Sequence, residues 1–450
     1  MDTMKHCRSF LAQIAFASAV CAAITPLLPG CAGGNGGSDP AGAGGAGGGD
    51  VTGGRSGGAG GAGGAGGAAG GRGGGSDASL GAGGGGGRSN DAAADHPTDV
   101  DAAGGVDGGG GDGPRDDVRD SGADRPSAAA AVRFVGRVET SDPRGPRFAW
   151  PGTGMVARFV GTSVGVRLGG GQQYTVVLDG MVLPKLKPTT TTTTPIAQGL
   201  LRGEHVIELY RRTEADGGEA QFLGFDFGAD GMLLSPPPAP ARRIELIGDS
   251  ISTGFGVEGI DPCAFSFDTE NHYVTWGAIA ARAVGAELMT TAWQGKGLVC
   301  NVGDNVPCTN PLPTYYDRAL PNRADSRWSF PAFQPQVVVI NLGTNDFSSA
   351  IDPTADEFAT GYVNFLRRIR TNYPRAMILL TCGPMLGGTE LAKVRAGIAT
   401  VMATLADPMV QSFELPGHMA PYGCGGHPSP ATQQKMADVL VTVLKQRLGW

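Results

Sequence analysis

Apolar residues change texture part-way along the chain. Between 131 and 235 they come in short runs of β-branched and aromatic side chains: "VRFVGRVE", "GMVARFVG", "SVGVRLGG", "QYTVVLDG", "EHVIELYRR" and "AQFLGFDFG". In "TVVLDG" and "HVIELYR" every second residue is apolar, the period of a strand with one buried face. Gly, Asp and Pro separate the runs, and no helix-length period interrupts them, so an antiparallel β-sandwich is predicted over 131–235. The threonine run at 189–194 suits a polar loop or an edge strand.

"SPPPAPAR" then forms a stiff connector that cannot continue a central strand. Beyond it, "RIELIG", "VVVINLG" and "AMILLTCG" are apolar without alternation, as strands buried on both faces require. Between them lie helical stretches: "VTWGAIAARAV", "ADEFATGYVNFLRRIRTNY" and "LAKVRAGIATVMATLA". A last helix is predicted over 429–446, with Met436, Val439, Leu440, Val443 and Leu444 at three- and four-residue spacing. Strands alternating with helices predict a parallel sheet covered on both sides over 242–450, with ligands at the carboxyl ends of its strands.

The first part of the chain has neither texture. Many of the 77 glycines fall before residue 115, where too few large apolar groups exist to offset the entropy of ordering the backbone. Residues 32–127 are therefore expected to be a disordered tether. Residues 1–31 read as a secretory signal: Lys5 and Arg8, an apolar run from Phe10 to Leu28, then "LPGC". That ending resembles a bacterial lipobox, which would make Cys31 a lipid-carrying first residue and place the protein at the cell envelope. Simple secretion and an uncleaved anchor are the other readings.

A net charge of −7 argues against a nucleic-acid partner. Five cysteines remain past Cys31: Cys263, Cys300, Cys308, Cys382 and Cys424. Export permits disulfides, and the expected pairs are Cys300 with Cys308 and Cys382 with Cys424. "CGGH" invites a zinc site through Cys424 and His427, but there is no second short-spaced pair to complete four ligands.

The chemistry gathers at strand ends. "IELIGDSISTGFG" places Ser250 just past a buried strand, and Gly254 and Gly256 leave the next turn open to a substrate. A serine hydroxyl needs a base to become a nucleophile. His427, in the glycine-rich "YGCGGHPSP" before the last helix, is the candidate; His418 in "LPGHMAP" is its competitor. Asn345 in "VVVINLGTNDF" and the backbone N–H of Gly295 in "AWQGKG" can join the Ser250 amide as oxyanion donors. Asp249 is expected to organise the turn without entering the chemistry.

"GDS", a glycine block, "GTND" and "HPS", in this order, resemble the SGNH or GDSL hydrolase superfamily. The sandwich running into "RRIELIGDSISTGFG" is similar to carbohydrate esterase family two, a jelly-roll domain followed by an SGNH domain that removes acetyl groups from polysaccharides such as xylan and glucomannan. The resemblance covers 131–450 and implies a cofactor-free ester hydrolase. It makes Ser250 the nucleophile and His427 the base, with Ser250, Gly295 and Asn345 forming the oxyanion hole. Two positions depart from the pattern. Where most SGNH enzymes have an aspartate three residues before the histidine stands Cys424, so a Ser–His dyad oriented by a backbone carbonyl is expected, with Glu414 the alternative carboxylate. Where an aromatic residue often precedes the histidine stands Gly426; Trp293, Phe255 or Tyr422 would have to compensate. Lipid or aryl esters, or a carbohydrate-binding module without catalysis, are the alternative readings.

Overall fold

The structure, a computed structural model, describes residues 132–450 apart from 190, 305–306 and 349–351. The signal read at 1–31, with Cys31, and the tether read at 32–127 lie outside the described residues.

The first domain is built from β1 (Val132–Val135), β2 (Arg147–Phe148), β3 (Gly154–Gly169), β4 (Tyr174–Leu178), β5 (Met181–Val182), β6 (Thr194–Arg211), β7 (Ala220–Asp226) and β8 (Met232–Leu234). They make one antiparallel sheet in the order β2-β7-β3-β6-β4-β5, with β1 and β8 also paired to β3. "GMVARFVG" and "SVGVRLGG" are thus a single strand, and β6 starts at the last threonine of the run. The first half of β3 pairs with β1 and β8, its second half with β7, and both halves with β6. The core takes Met155, Ala157 and Phe159 from β3, but then Val164, Val166 and Leu168. Pairing with β6 is irregular between Gly161 and Ser163. That irregularity changes the parity, so both halves of the strand turn their apolar side to one core.

The second domain contains β9 (Arg242–Gly248), α1 (Ser250–Thr253), α2 (Trp276–Ala283), β10 (Ala286–Ala292), β11 (Val337–Asn341), α3 (Ala355–Asn372), β12 (Met377–Cys382), α4 (Gly388–Leu405), β13 (Val410–Glu414) and α5 (Pro430–Leu448). Its sheet is parallel throughout, in the order β10-β9-β11-β12-β13. This is the flavodoxin-like order, whose switch point lies between β9 and β11. The central strands are buried on both faces. Ile244, Leu246, Val337 and Val339 pack with α2 and α5, while Ile247, Val338 and Ile340 share a core with Phe358 and Tyr362 of α3 and Val394 of α4. The edge strands β10 and β13 lack the uniform apolar run because their outer halves are only partly covered. A capping box between Thr354 and Glu357 starts α3, and Pro430 in the first turn starts α5.

The two domains share buried contacts. Arg137 and Glu245 are both fully buried and paired at 2.8 Å. Glu245 also accepts from Thr291 Oγ1 and from Tyr316 Oη, each at 3.0 Å, while Arg137 donates to the carbonyls of Tyr316 and Arg318. Arg133 pairs with Glu287 beside it.

Cys300 and Cys308 form the expected local disulfide. The expected partner of Cys424 is wrong: Cys424 is bonded to Cys263, and Cys382 is a buried free thiol. Cys382 ends β12 inside the core on the α3/α4 side, and burial pushes its thiol up to about 11. Cys424 instead packs on the loop after α1: its N–H donates to Gly256 O at 3.0 Å, and a Cβ on Gly259 would fall 2.1 Å from its sulfur.

Candidate active site

Strand β9 ends at Gly248, and the chain turns at once into the single turn of α1. Asp249 caps that turn, its Oδ1 accepting from Ile251 N at 3.0 Å. This puts Ser250 at the first helical position, over the switch point, where its amide N–H has no intrahelical acceptor. Ser250 is 7% exposed. Burial pushes the Asp249 carboxyl up to about 7, against the opposing pull of the Ile251 amide.

Gly254 and Gly256 have positive φ, 86° and 63°. The chain itself occupies the space they leave open. A Cβ on Gly254 would lie 2.5 Å from Asn271 O, and one on Gly256 2.8 Å from Cys424 Cβ. Their freedom serves the turn after α1 and the close approach of the 423–427 loop, not the approach of a substrate to the backbone.

That loop carries His427 to Ser250. His427 Nε2 lies 2.9 Å from Ser250 Oγ, and Nδ1 lies 3.1 Å from Gly425 O. A carbonyl oxygen only accepts, so the proton sits on Nδ1 and Nε2 offers its lone pair to the serine hydroxyl. Burial pushes the imidazole down to about 4; the Gly425 and Cys424 backbone groups pull it partly back, and His418 adds to the lowering. Phe255 covers the ring, with centroids 4.1 Å apart, and is itself stacked on Phe265 at 4.0 Å.

The loop is fastened on several sides. Besides the Cys263–Cys424 bond, Gly425 N donates to Cys263 O at 3.2 Å, and Gly426 N to Asp261 Oδ1 at 3.2 Å. His418 directs Nε2 at Gly426 O (2.8 Å) and Nδ1 at Pro384 O (3.1 Å). Neither nitrogen faces Ser250, so the competing histidine braces the loop. Glu414 is no partner of His427 either: both its oxygens engage Arg395 at the surface, which holds its carboxyl below the usual range.

Asn345 follows β11 and is 7% exposed. Its Nδ2 donates to Lys296 O at 2.9 Å and lies 3.4 Å from Asp249 Oδ2. One amide group therefore joins the residue before Ser250 to the residue after Gly295, bringing three sequence blocks together. Asp346 supports the same loop from below, accepting from the amides of Leu298, Val299 and Cys300. Gly295 has φ +68°, and no protein acceptor meets its N–H among the described residues. Of the remaining aromatics, Trp293 precedes the Gly295 turn, packed on Tyr315 at 4.8 Å, and Tyr422 packs on His418 at 4.8 Å.

Residues 134–237 match the family model for the carbohydrate esterase 2 N-terminal domain, and 246–435 that of the GDSL-like lipase/acylhydrolase family. A family two carbohydrate esterase from Clostridium thermocellum, solved in complex with cellohexaose, is 40% identical with a TM-score of 0.68; the match covers 71% of this chain and 99% of that one. This chain belongs to carbohydrate esterase family two. By that membership it is a carboxylic ester hydrolase. A family two enzyme from Corynascus thermopiles, carrying a carbohydrate-binding domain, is 33% identical with a TM-score of 0.65, covering 71% of this chain and all of that one. Among curated proteins, the cellulase/esterase CelE of Acetivibrio thermocellus is 41% identical over 332 residues, 71% of this chain but 40% of CelE. This esterase thus spans well under half the length of that relative. An acetylxylan esterase/glucomannan deacetylase of Cellvibrio japonicus is 27% identical over 67% of this chain and 86% of its own length.

Proposed function

We propose that the protein is an exported, lipid-anchored acetylesterase that removes acetyl groups from a polysaccharide of the xylan or glucomannan type. The observation carrying this reading is the 2.9 Å contact from Ser250 Oγ to the unprotonated Nε2 of His427, at the switch point of the sheet. The names of the relatives, one a glucomannan deacetylase and one bound to cellohexaose, support the substrate class.

In the proposed reaction Ser250 Oγ attacks the acetyl carbonyl carbon as His427 Nε2 takes its proton. The oxyanion is met by the N–H groups of Ser250 and Gly295 and by the Asn345 amide, which exchanges its long 3.4 Å contact to Asp249 for the substrate. His427 then protonates the sugar oxygen as the carbon–oxygen bond breaks. A water gives its proton to His427 and attacks the acetyl-serine, and acetate leaves with Ser250 reprotonated. The Gly425 carbonyl holds the ring in the required tautomer, as an aspartate does in a triad.

The test is acetate release from acetylated xylan and glucomannan, with acetyl and octanoyl chromogenic esters in parallel. The expected result is turnover of the polysaccharides and the acetyl ester, abolished in Ser250→Ala and His427→Ala. Preference for the octanoyl ester would refute the substrate class; equal turnover by parent and Ser250→Ala would refute the mechanism.

A further inference from the structure

Three hydrogen bonds cross from the antiparallel domain to the turn that carries Gly295, and none belongs to the serine–histidine geometry. They come from the turn between β6 and β7. Glu214, fully buried, accepts the backbone N–H of Gln294 at 2.5 Å. Asp216 accepts the Trp293 indole N–H on Oδ1 and the Gln294 side-chain amide on Oδ2, both at 2.9 Å. The residues held are the two immediately before Gly295. The turn is itself tied down, because Asn322 Nδ2 donates to Ala215 O at 2.9 Å.

The arrangement has a directional logic. Asn345 grips the loop through Lys296 O, on the far side of Gly295. The second domain thus fixes one side of the glycine, and the first domain fixes the other. A backbone N–H can meet an oxyanion only if its peptide plane is held, and glycine supplies no side chain to hold it. Burying a carboxylate is costly. Glu214 is buried with one oxygen on this peptide and the other without a partner among the described residues, and burial pushes it well above the carboxylate range. A group retained in so unfavourable a position at the edge of the site calls for a role there.

We infer that Glu214 and Asp216 are positioning residues for the ester-cleaving reaction: the antiparallel domain completes the active site by aiming the Gly295 amide at the oxyanion. The inference rests on the oxyanion role proposed for Gly295. It makes the first domain part of the reaction site, whether or not that domain also binds polysaccharide.

The experiment compares kcat and KM on a soluble acetyl ester for the parent chain, Ser250→Ala, Asp216→Ala, Asp216→Asn, Glu214→Ala and Glu214→Gln. Asp216 is exposed, so its variants are expected to fold, which thermal melting checks. A misplacement below an ångström in a reacting group costs on the order of tenfold or more. Asp216→Ala should therefore lower kcat roughly tenfold with KM within about twofold of the parent. Asp216→Asn keeps an acceptor for the indole and should recover most of the loss. Glu214→Gln keeps a carbonyl for the Gln294 amide and should exceed Glu214→Ala by a similar factor. Unchanged kcat in Asp216→Ala overturns the inference, and so does a raised KM with kcat intact, which would make Trp293 a substrate contact. An inactive parent refutes the ester-hydrolysis reading and the inference together. An active parent and inactive Ser250→Ala, beside an Asp216→Ala at full kcat, refute the positioning role alone.

Discussion

The acid limb of the pH profile tests the electrostatics of the site most directly. Among the described residues no carboxylate stands behind His427. Its Nδ1–H meets only the Gly425 carbonyl, and burial pushes the ring down to about 4. An unperturbed imidazole would titrate near 6.5. The two values separate widely at pH 5.5. With a value of 4 about 97% of the imidazole is neutral and able to accept the serine proton; with 6.5 it is about 9%. Activity at pH 5.5 should therefore stay close to its value at pH 7.5, where the ordinary imidazole predicts a roughly tenfold drop. The assay is kcat/KM on a soluble acetyl ester from pH 3.5 to 8, corrected for spontaneous hydrolysis, because this ratio reports the free enzyme. His418, whose Nε2 faces Gly426 O, contributes to the lowering; His418→Gln should move the limb upward. The stability linkage has a definite sign. The folded imidazole titrates below its unfolded value, so folding favours its neutral form. That contribution is fully present above about 6.5 and is lost as the pH falls through 4. An acid limb centred near 6.5 would refute the reasoning, since burial would then not govern the ring.

Three further outcomes are expected. If Asn345 is the proposed oxyanion donor, Asn345→Ala should lower kcat by about a hundredfold to a thousandfold with little change in KM, measured on the same ester. Arg137→Ala leaves Glu245 fully buried without its cation and should destabilise the protein by about 3–5 kcal/mol in a denaturant titration; a loss below 1 kcal/mol would show that water reaches the site. The Cys263–Cys424 bond closes a sequence separation of 161, against 8 for Cys300–Cys308. Chain entropy then gives it about 5 kcal/mol against about 2.5. The Cys263→Ser/Cys424→Ser variant should lose both stability and turnover, because the bridge holds the loop that carries His427. The Cys300→Ser/Cys308→Ser variant should lose less of each.

What could be read from the chain alone was local. The runs at 244–248 and 337–341 are buried on both faces, and their apolar composition says so. The Gly-Asp-Ser turn is a strand end followed by its own cap. β10 and β13 escaped because part of each edge strand is only partly covered and its composition reflects that. Gly254 and Gly256 could be recognised as special, but not why: the groups that need their space, Asn271 and Cys424, arrive from elsewhere in the chain. The disulfide of Cys424 was misjudged for the same reason, since its partner is chosen by one loop lying on another. Glu214 and Asp216 gave no signal, being two carboxylates after a strand of a different domain.

A backbone carbonyl was expected behind His427, but not which one: it is that of Gly425. Position 424 shows that the usual aspartate is missing, but a backbone carbonyl exists at every residue and leaves no mark in a sequence. Its consequence is chemical. A carbonyl fixes the tautomer without neutralising the imidazolium, so the ring keeps its orientation but becomes a weaker base and a stronger acid. In the proposed attack step that is a disadvantage, partly met by the preformed hydrogen bond to Ser250. In the next step it is a gain, because a sugar alkoxide is a poor leaving group and needs its proton from a strong acid. A site built this way should discriminate against strongly basic leaving groups less than a full triad does. The ratio of turnover on an alkyl acetate to turnover on a nitrophenyl acetate should then fall when the His427 value is raised by His418→Gln.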